Sequence, residues 1–387
     1  MNNPSFWNGN KQGLLFGVSL LLLALVIPTE LILAAESKPA WQAEWDKTVA
    51  AAKKEGRLNL YVGRYGSEKL LDEFRKEFPE IKIVSTNGAG NSLGTRIVAE
   101  ARASNMVADL YSGGAVTNFE FLYKGKVLDS IKSALILPEV LDESKWFGGK
   151  HRYNEPEQQH VFIYIANPTS ASLYFNTNLV NPKEFKSFWD LTQPKWKGKF
   201  VSQEPTSTGI GPSLQFFFYN PDLGPEFLRK LFVDQQPVFS KDRRQMTDWL
   251  AQGKYALCLG CRDSEKANKQ GLPVDDLDMV DWKEGAHVSS GGGSLGLIKG
   301  GPHPNAAKVF INWFLSRRGQ MALQKYEDLY SENPPNSRRV DIPKDGLPAT
   351  SRLIEGRRYF DFSDAKHSDM TPIFQLVKEF MKGREGK

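Results

Sequence analysis

Cysteine is nearly absent. Only Cys258 and Cys261 occur in 387 residues, so the fold cannot rest on a dense disulfide framework. Histidine is scarce as well: His151, His160, His287, His303 and His367 are scattered, with no pair at helical spacing. Neither an HExxH segment nor a GxSxG elbow is present, so hydrolytic chemistry lacks its usual carriers. No GxxxxGK[ST] loop occurs, and Gly88-Ala-Gly90 lacks the third glycine of a dinucleotide fingerprint. Beyond residue 35 no apolar run reaches the length of a membrane span. Charge of one sign is not in large excess either. Fifty Lys and Arg face 45 Asp and Glu, spread along the chain, which excludes a nucleic-acid stripe and argues only weakly for an anionic partner.

What is present is a globular composition, 40% apolar, 25% charged and 12% aromatic. A folded chain of this size buries roughly three quarters of its unfolded surface and normally divides into two compact units. The N-terminus stands apart. Lys11 precedes an almost unbroken apolar run from Leu14 to Ile27, and Ala34-Ala35 follows before Glu36. That order reads as a signal peptide over residues 1–35, cleaved after Ala35, and it directs the protein to the periplasm or the extracellular space. An uncleaved anchor is the alternative, because Pro28 and Glu30 interrupt the run and Leu33 is imperfect at the third position before the cut. No cysteine lies at the exit, which excludes a lipid-modified N-terminus. For Cys258-Leu-Gly-Cys261, two inert thiols and a local disulfide both stay open. A reactive centre is disfavoured, because the pair follows the strand-like Tyr255-Ala-Leu-Cys-Leu instead of opening a helix, and no second CxxC completes a zinc site.

Downstream, strand and helix signals alternate. Leu58-Asn-Leu-Tyr-Val reads as a strand, and Leu70, Leu71, Phe74 and Phe78 share a helical face that Pro79 ends. Ile81-Lys-Ile-Val is a second strand, Asn91-Ser92 opens a helix through Ala103, and Ala108-Asp-Leu-Tyr is a third strand. This rhythm means parallel strands covered by helices. It recurs after residue 183 and again after Gly253, and the clearest late helix spans Asn305 to Tyr326, with Phe310, Trp313, Phe314 and Met321 on its buried side. The expected architecture is α/β with two lobes. Residues 36–175 plus 300–387 form the first, and 176–299 form the second, including a return segment near 286–299. Two crossings between lobes make a hinge.

Four loops place glycine and hydroxyl residues where a strand ends and a helix begins: Arg64-Tyr-Gly-Ser67, Asn87-Gly-Ala-Gly-Asn-Ser92, Ser112-Gly-Gly-Ala115 and Thr206-Ser-Thr-Gly-Ile-Gly211. Helix N-termini carry unpaired N–H groups and a partial positive charge, so they hold an anion without a dedicated lysine. Each loop alone is an ordinary cap and turn. Four of them at strand ends, where open sheets bind ligands, point to anion capture. Tyr61, Tyr65, Tyr111, Tyr164 and Tyr174 sit at strand ends or at the crossing, where a phenol can donate to a carboxylate or phosphate. Arg64, Arg96, Arg243, Arg244 and Arg262 are the basic candidates, and Arg64 and Arg262 each follow a strand. The expected ligand-binding set is Arg64, Tyr65, Ser67, Asn91, Ser92, Ser112, Gly113, Tyr174, Thr208, Gly209 and Arg262. No catalytic residue, metal ligand or cofactor is expected.

With these loops the chain resembles the extracellular solute-binding proteins of bacterial ABC importers, in the iron(III)-type and spermidine/putrescine-like group. The resemblance runs from Trp41 to Lys378. It is carried by Ser172-Leu-Tyr-Phe-Asn-Thr-Asn-Leu-Val, by Phe188-Trp-Asp-Leu-Thr-Gln-Pro-Lys-Trp-Lys-Gly-Lys, by Glu204-Pro-Thr-Ser-Thr-Gly, by Leu250-Ala-Gln-Gly-Lys-Tyr and by Gly301-Pro-His-Pro-Asn-Ala-Ala-Lys-Val-Phe-Ile-Asn-Trp-Phe-Leu-Ser. It implies a type II periplasmic-binding-protein fold, with hinge segments near Asn176 and Leu295. It also implies a monomer that closes on a small-molecule ligand and docks on a membrane permease. Ferric-binding members carry consecutive tyrosines beyond the Gly-Lys/Glu-Tyr segment, whereas Cys258-Leu-Gly-Cys-Arg-Asp-Ser stands here. Bare ferric ion prefers phenolate and carboxylate oxygens to an arginine neighbour. It is therefore placed, with polyamines, behind a small organic or phosphorylated anion. A sensory binding protein without transport and an exported enzyme on the same scaffold are the rival functions.

Overall fold

Leu70, Leu71 and Phe74 are fully buried on one side of the helix Glu68–Glu77, which Ser67 caps by accepting the Leu70 N–H at 3.3 Å. The preceding helix, Ala40–Glu55, stops at Gly56, whose φ of 64° only glycine adopts without strain. The computed structural model describes residues 38–387 apart from 170–171, 278, 280, 291, 328–333, 348–351, 354–356, 363 and 386–387. The predicted leader, residues 1–35, lies outside the described residues. Among the described residues no helix is long and apolar enough to cross a membrane.

The strands in chain order are β1 (Arg57–Val62), β2 (Lys82–Asn87), β3 (Leu110–Gly113), β4 (Leu128–Asp129), β5 (Val161–Ile163), β6 (Asn167–Thr169) and β7 (Leu173–Asn176). They continue with β8 (Phe200–Gln203), β9 (Val238–Ser240), β10 (Leu257–Leu259), β11 (Val274–Asp276), β12 (Ala286–Ser289), β13 (Ser294–Ile298) and β14 (Tyr359–Phe360). The first body is built on the order β2-β1-β3-β13-β4, with β5 also on β13. There β1 runs parallel to β2 and β3, and β13 runs antiparallel to β3. The second body repeats the plan as β11-β7-β10-β8-β9, with β8 parallel to β9 and β10, and β7 antiparallel to β10.

Each body has its own core. In the first, Phe74 meets Phe310 and Trp313 with ring centroids 5.2 and 5.3 Å apart. In the second, Phe188 packs on Phe216, Phe217 and Phe227. Truncating one such ring to alanine costs about 3–5 kcal/mol. The apolar period predicts a single helix over Asn305–Tyr326, but the structure has two, Pro304–Leu315 and Arg317–Tyr326. Ser316 between them is extended, with ψ 165°, and its hydroxyl caps the second helix at Gly319. The break turns Met321 outward, to 38% exposure.

Among the described residues, three segments pass between the bodies. β5 leads through β6 into β7, and β12 returns into β13. β6 and β12 are antiparallel, with His287 opposite Thr169 and Ser289 opposite Asn167. The crossings thus lie at 167–169 and 286–289, several residues before the expected Asn176 and Leu295, which belong to the flanking sheets. The third segment narrows the expected return of residues 300–387 to the first lobe, where Pro304–Leu315 and Arg317–Tyr326 do pack but the end of the chain does not. β14 pairs in parallel with β12, and the helix Thr371–Glu385 then packs on the second body, where Phe362, Met370, Ile373 and Val377 join its core. An amphipathic period says that a helix has a burying face, not which core receives it.

Candidate functional site

The carboxyl ends of six parallel strands, β1, β2 and β3 in one body and β8, β9 and β10 in the other, face a cleft of about 680 Å³. The first wall is Gly63, Arg64 and Tyr65 after β1, Ala89 to Asn91 after β2, and Tyr111 with Gly114 to Thr117 at β3. The second is Gln203, Glu204, Thr206, Ser207 and Gly209 after β8, Lys241 and Arg243 after β9, and Arg262 after β10. Asn167, Ser172, Ser289 and Gly292 contribute from the crossings. Among the described residues, four cations, Arg64, Lys241, Arg243 and Arg262, thus share the lining with one carboxylate, Glu204.

The cations are anchored in different ways. The Arg64 guanidinium lies 5.0 Å from the ring centre of Tyr65, whose φ of 58° is rare for a tyrosine and folds the two side chains together. Arg243 donates from Nε to the Gly260 carbonyl at 2.6 Å and from Nη2 to the Cys261 carbonyl at 2.8 Å. Those carbonyls belong to a loop closed by a Cys258–Cys261 disulfide, with Cα atoms 6.0 Å apart, so the question left open by the CxxC spacing resolves as a local bridge. Arg262 is held by its backbone: Thr247 Oγ1 donates to its carbonyl at 2.6 Å and accepts its N–H at 3.1 Å. Its side chain extends into solvent, 68% exposed and 3.8 Å from Asp263. Lys241 lies 3.3 Å from Glu204, which also accepts the Thr206 hydroxyl at 2.9 Å.

Of the sequence-predicted set, Arg64, Tyr65, Asn91, Gly209 and Arg262 line the cleft. The others do different things. Ser67 caps its helix, and its N–H donates to Glu327. Ser92 is exposed and donates its N–H to Asn91 Oδ1 at 2.9 Å. Ser112 is buried behind the wall, its hydroxyl 3.0 Å from Tyr164 Oη and 3.4 Å from the Arg64 and Tyr65 carbonyls, so it supports the β1 loop. Gly113 lies under the Tyr111 ring, and Tyr174 is buried in a second-body cluster with Val201, Met246 and Cys258. Thr208 opens a 3-10 turn, Thr208–Ile210, and its side chain lies outside the described residues. Glycine and hydroxyl content marks loops that border the cleft, but alternation along β3 and β7 decides which way each side chain points.

Cleft residues outside that set include Tyr111, Thr117, Gln203, Lys241 and Arg243. Tyr111 carried a signal as a phenol near a strand end. Lys241, in a polar loop, carried none. Burial pushes the Tyr111 phenol up to about 12, against the opposing influence of Thr117 and Gly114, so it stays protonated at neutral pH. Among the described residues no group of three His, Cys, Asp or Glu side chains gathers where a metal ion could sit.

The bacterial extracellular solute-binding protein family matches residues 63–321. An uncharacterized protein of Haemophilus influenzae is 25% identical over 289 residues, covering 72% of this chain and 78% of that protein. Iron-bound HitA from Pseudomonas aeruginosa superposes with a TM-score of 0.61 at 17% identity, covering 84% of this chain and 99% of HitA. AfuA from Actinobacillus pleuropneumoniae, with fructose-6-phosphate bound, also gives 0.61 at 16% identity, covering 84% of this chain and 98% of AfuA. Ferric-binding proteins recur among the other similar structures. These likenesses establish the two-lobed α/β periplasmic-binding-protein fold. With the family match spanning well over half of its length, the chain belongs to the bacterial extracellular solute-binding protein family, a non-catalytic solute-binding component of the kind that serves ABC importers.

Proposed function

We propose that this protein captures a small organic or phosphorylated anion between its two bodies and delivers it to an ABC permease. The observation that carries the reading is the lining: four cations against one carboxylate, at strand ends where helix N-termini point inward. Arg64, Tyr65, Asn91, Gly209 and Arg262 contact the ligand in this reading, joined by Lys241 and Arg243, while Ser67, Ser112 and Gly113 shape the loops that carry them. Each charge-assisted bond made only when both walls reach the ligand is worth roughly 1.5–3 kcal/mol, so two or three suffice to favour closure. The hinge is the set of crossings at 167–169, 286–289 and 359–360. A leader over residues 1–35 fits the same role.

Ferric iron is the second reading, favoured by the iron-bound and ferric-binding neighbours. At 15–17% identity those neighbours speak for fold. Against a bare ferric ion stand the cationic lining and a buried phenol that burial keeps protonated. Native mass spectrometry of undialysed protein, followed by calorimetry with citrate, inorganic phosphate and iron(III), separates the two. The anionic reading expects citrate or phosphate to bind without iron and Arg262→Ala with Lys241→Ala to weaken that binding about tenfold or more. Binding of iron(III) alone, indifferent to both substitutions, overturns it.

A further inference from the structure

Tyr111 is fully buried, lines the cleft, and its hydroxyl makes no hydrogen bond. The Thr117 hydroxyl and the Gly114 N–H lie beside its oxygen as donors, which leaves the phenol's own O–H without an acceptor. Buried polar groups are nearly always paired, so a buried donor with no acceptor, facing a ligand cleft, calls for one from outside the chain. The glycines around it make room for the phenol itself. A β-carbon at Gly63 would lie 2.6 Å from Tyr111 Oη, and one at Gly90 would lie 3.1 Å from the same oxygen and 2.6 Å from Thr117 Oγ1. Any side chain at either position would therefore crowd the phenol. Gly90 also opens the 13-residue helix Gly90–Arg102, whose Gly90 and Asn91 N–H groups have no intrahelical acceptor, while that of Ser92 is taken by Asn91 Oδ1.

We propose that this glycine-lined recess is a subsite for one terminal oxygen of the ligand, a carboxylate or phosphoryl oxygen, with the Tyr111 O–H as its donor and the N-terminal N–H groups of Gly90–Arg102 beside it. The proposal rests on the anionic reading above and narrows it: the ligand has an oxygen small and protruding enough to enter between Gly63 and Gly90. The phenol is pushed up to about 12 by burial, which keeps it a donor across the physiological range. Thr117, also buried and on the cleft wall, borders the same recess.

The test measures citrate and inorganic phosphate binding by calorimetry, alongside the thermal midpoint of the ligand-free protein. Tyr111→Phe is expected to weaken binding about 10- to 100-fold, as for loss of a bond to a charged group. It is expected to leave the ligand-free midpoint unchanged or higher, because it removes a donor that has no acceptor. Gly90→Ala fills the recess and is expected to weaken binding while Tyr111 is intact. Three results overturn the subsite. One is unchanged affinity in Tyr111→Phe while Arg262→Ala loses it, which leaves the anionic reading standing. Another is a lower ligand-free midpoint with unchanged affinity, which makes the hydroxyl part of the fold alone. The third is a visible phenolate-to-iron(III) charge-transfer band in the wild type that Tyr111→Phe abolishes, which makes Tyr111 a metal ligand. If neither anion binds the wild type, the anionic reading and the subsite fall together.

Discussion

Gly292, on the return crossing, lies directly under Arg64 of the first-body wall: a β-carbon there would sit 2.4 Å from both Cβ and Cδ of Arg64. Since Arg64 Cβ is fixed by its backbone, the clash cannot be relieved by turning the far end of the side chain. The glycine therefore couples the hinge to the position of one cleft cation. Gly292→Ala is expected to displace the Arg64 loop, costing about 1–3 kcal/mol of stability as other overpacked sites do. It is also expected to weaken anion binding more than an alanine at the open Gly300, beside which nothing lies within 4 Å, although φ there is +73°. Urea unfolding and citrate calorimetry on the two variants make the comparison. Equal affinities reject the coupling.

The Cys258–Cys261 bridge closes a loop with a sequence separation of only 3, so its effect on the unfolded chain is small, about 2 kcal/mol. Its local effect is larger, because the Gly260 and Cys261 carbonyls inside that loop hold the Arg243 guanidinium. The paired substitution Cys258→Ala and Cys261→Ala is expected to lower unfolding stability by about that amount and to raise the dissociation constant for citrate several-fold. A reductant acting on the wild type is expected to reproduce both effects. Loss of stability with unchanged affinity would confine the bridge to the fold.

Much of this arrangement is legible in the sequence. Leu70, Leu71 and Phe74 announce a helix because their spacing follows its 3.6-residue period, and Leu58 to Val62 announce a strand by their alternation. Loops rich in glycine and hydroxyls mark the strand ends, and Arg64, Asn91 and Gly209 come with them. What periodicity lacks is partner choice. The face of Thr371–Glu385 that carries Ile373 and Val377 is apolar whichever core receives it, and only the β14–β12 pairing sends it to the second body. Ser112 and Tyr174 show a second limit, since a residue one position along a strand points to the opposite side. Lys241 shows a third: a lone lysine in a polar loop has no sequence mark until β8 and β9 bring it to Glu204.

His287 gives the crossings a pH dependence. It is buried in β12, stacked on Phe216 with ring centroids 5.5 Å apart, and burial holds its imidazole down at about 4, against the opposing pull of Asp361. In the unfolded chain the group titrates near 6.5. Between those values the unfolded state binds more protons, so stability rises with pH and is lost as pH falls from about 6.5 toward 4, on the order of 3 kcal/mol. His151 and His367 are also lowered by burial and act in the same direction. His287→Phe preserves an aromatic ring among Phe216 and Phe362 and removes the titration. Its unfolding free energy is expected to fall less between pH 7 and pH 4 than that of the wild type. Parallel curves would show that the histidine does not set the acid limb.

Val116 brings the two bodies into contact beside the cleft. It belongs by sequence to the first body, yet it joins the second-body core and meets Gly211 so closely that a β-carbon there would lie 2.9 Å from Val116 Cγ2. This apolar contact exists only while the bodies are this near, so its free energy counts toward the closed arrangement. Val116→Ala removes two buried methyl groups. If about 1 kcal/mol of their burial acts on closure, the closed-to-open ratio falls about fivefold. The expected result is a larger radius of gyration in small-angle scattering without ligand, and citrate binding weakened in proportion, with both values approaching wild type at saturating citrate. A variant whose unfolding stability drops while its scattering and affinity match the wild type would place Val116 in the core alone and leave closure to the ligand's own bonds.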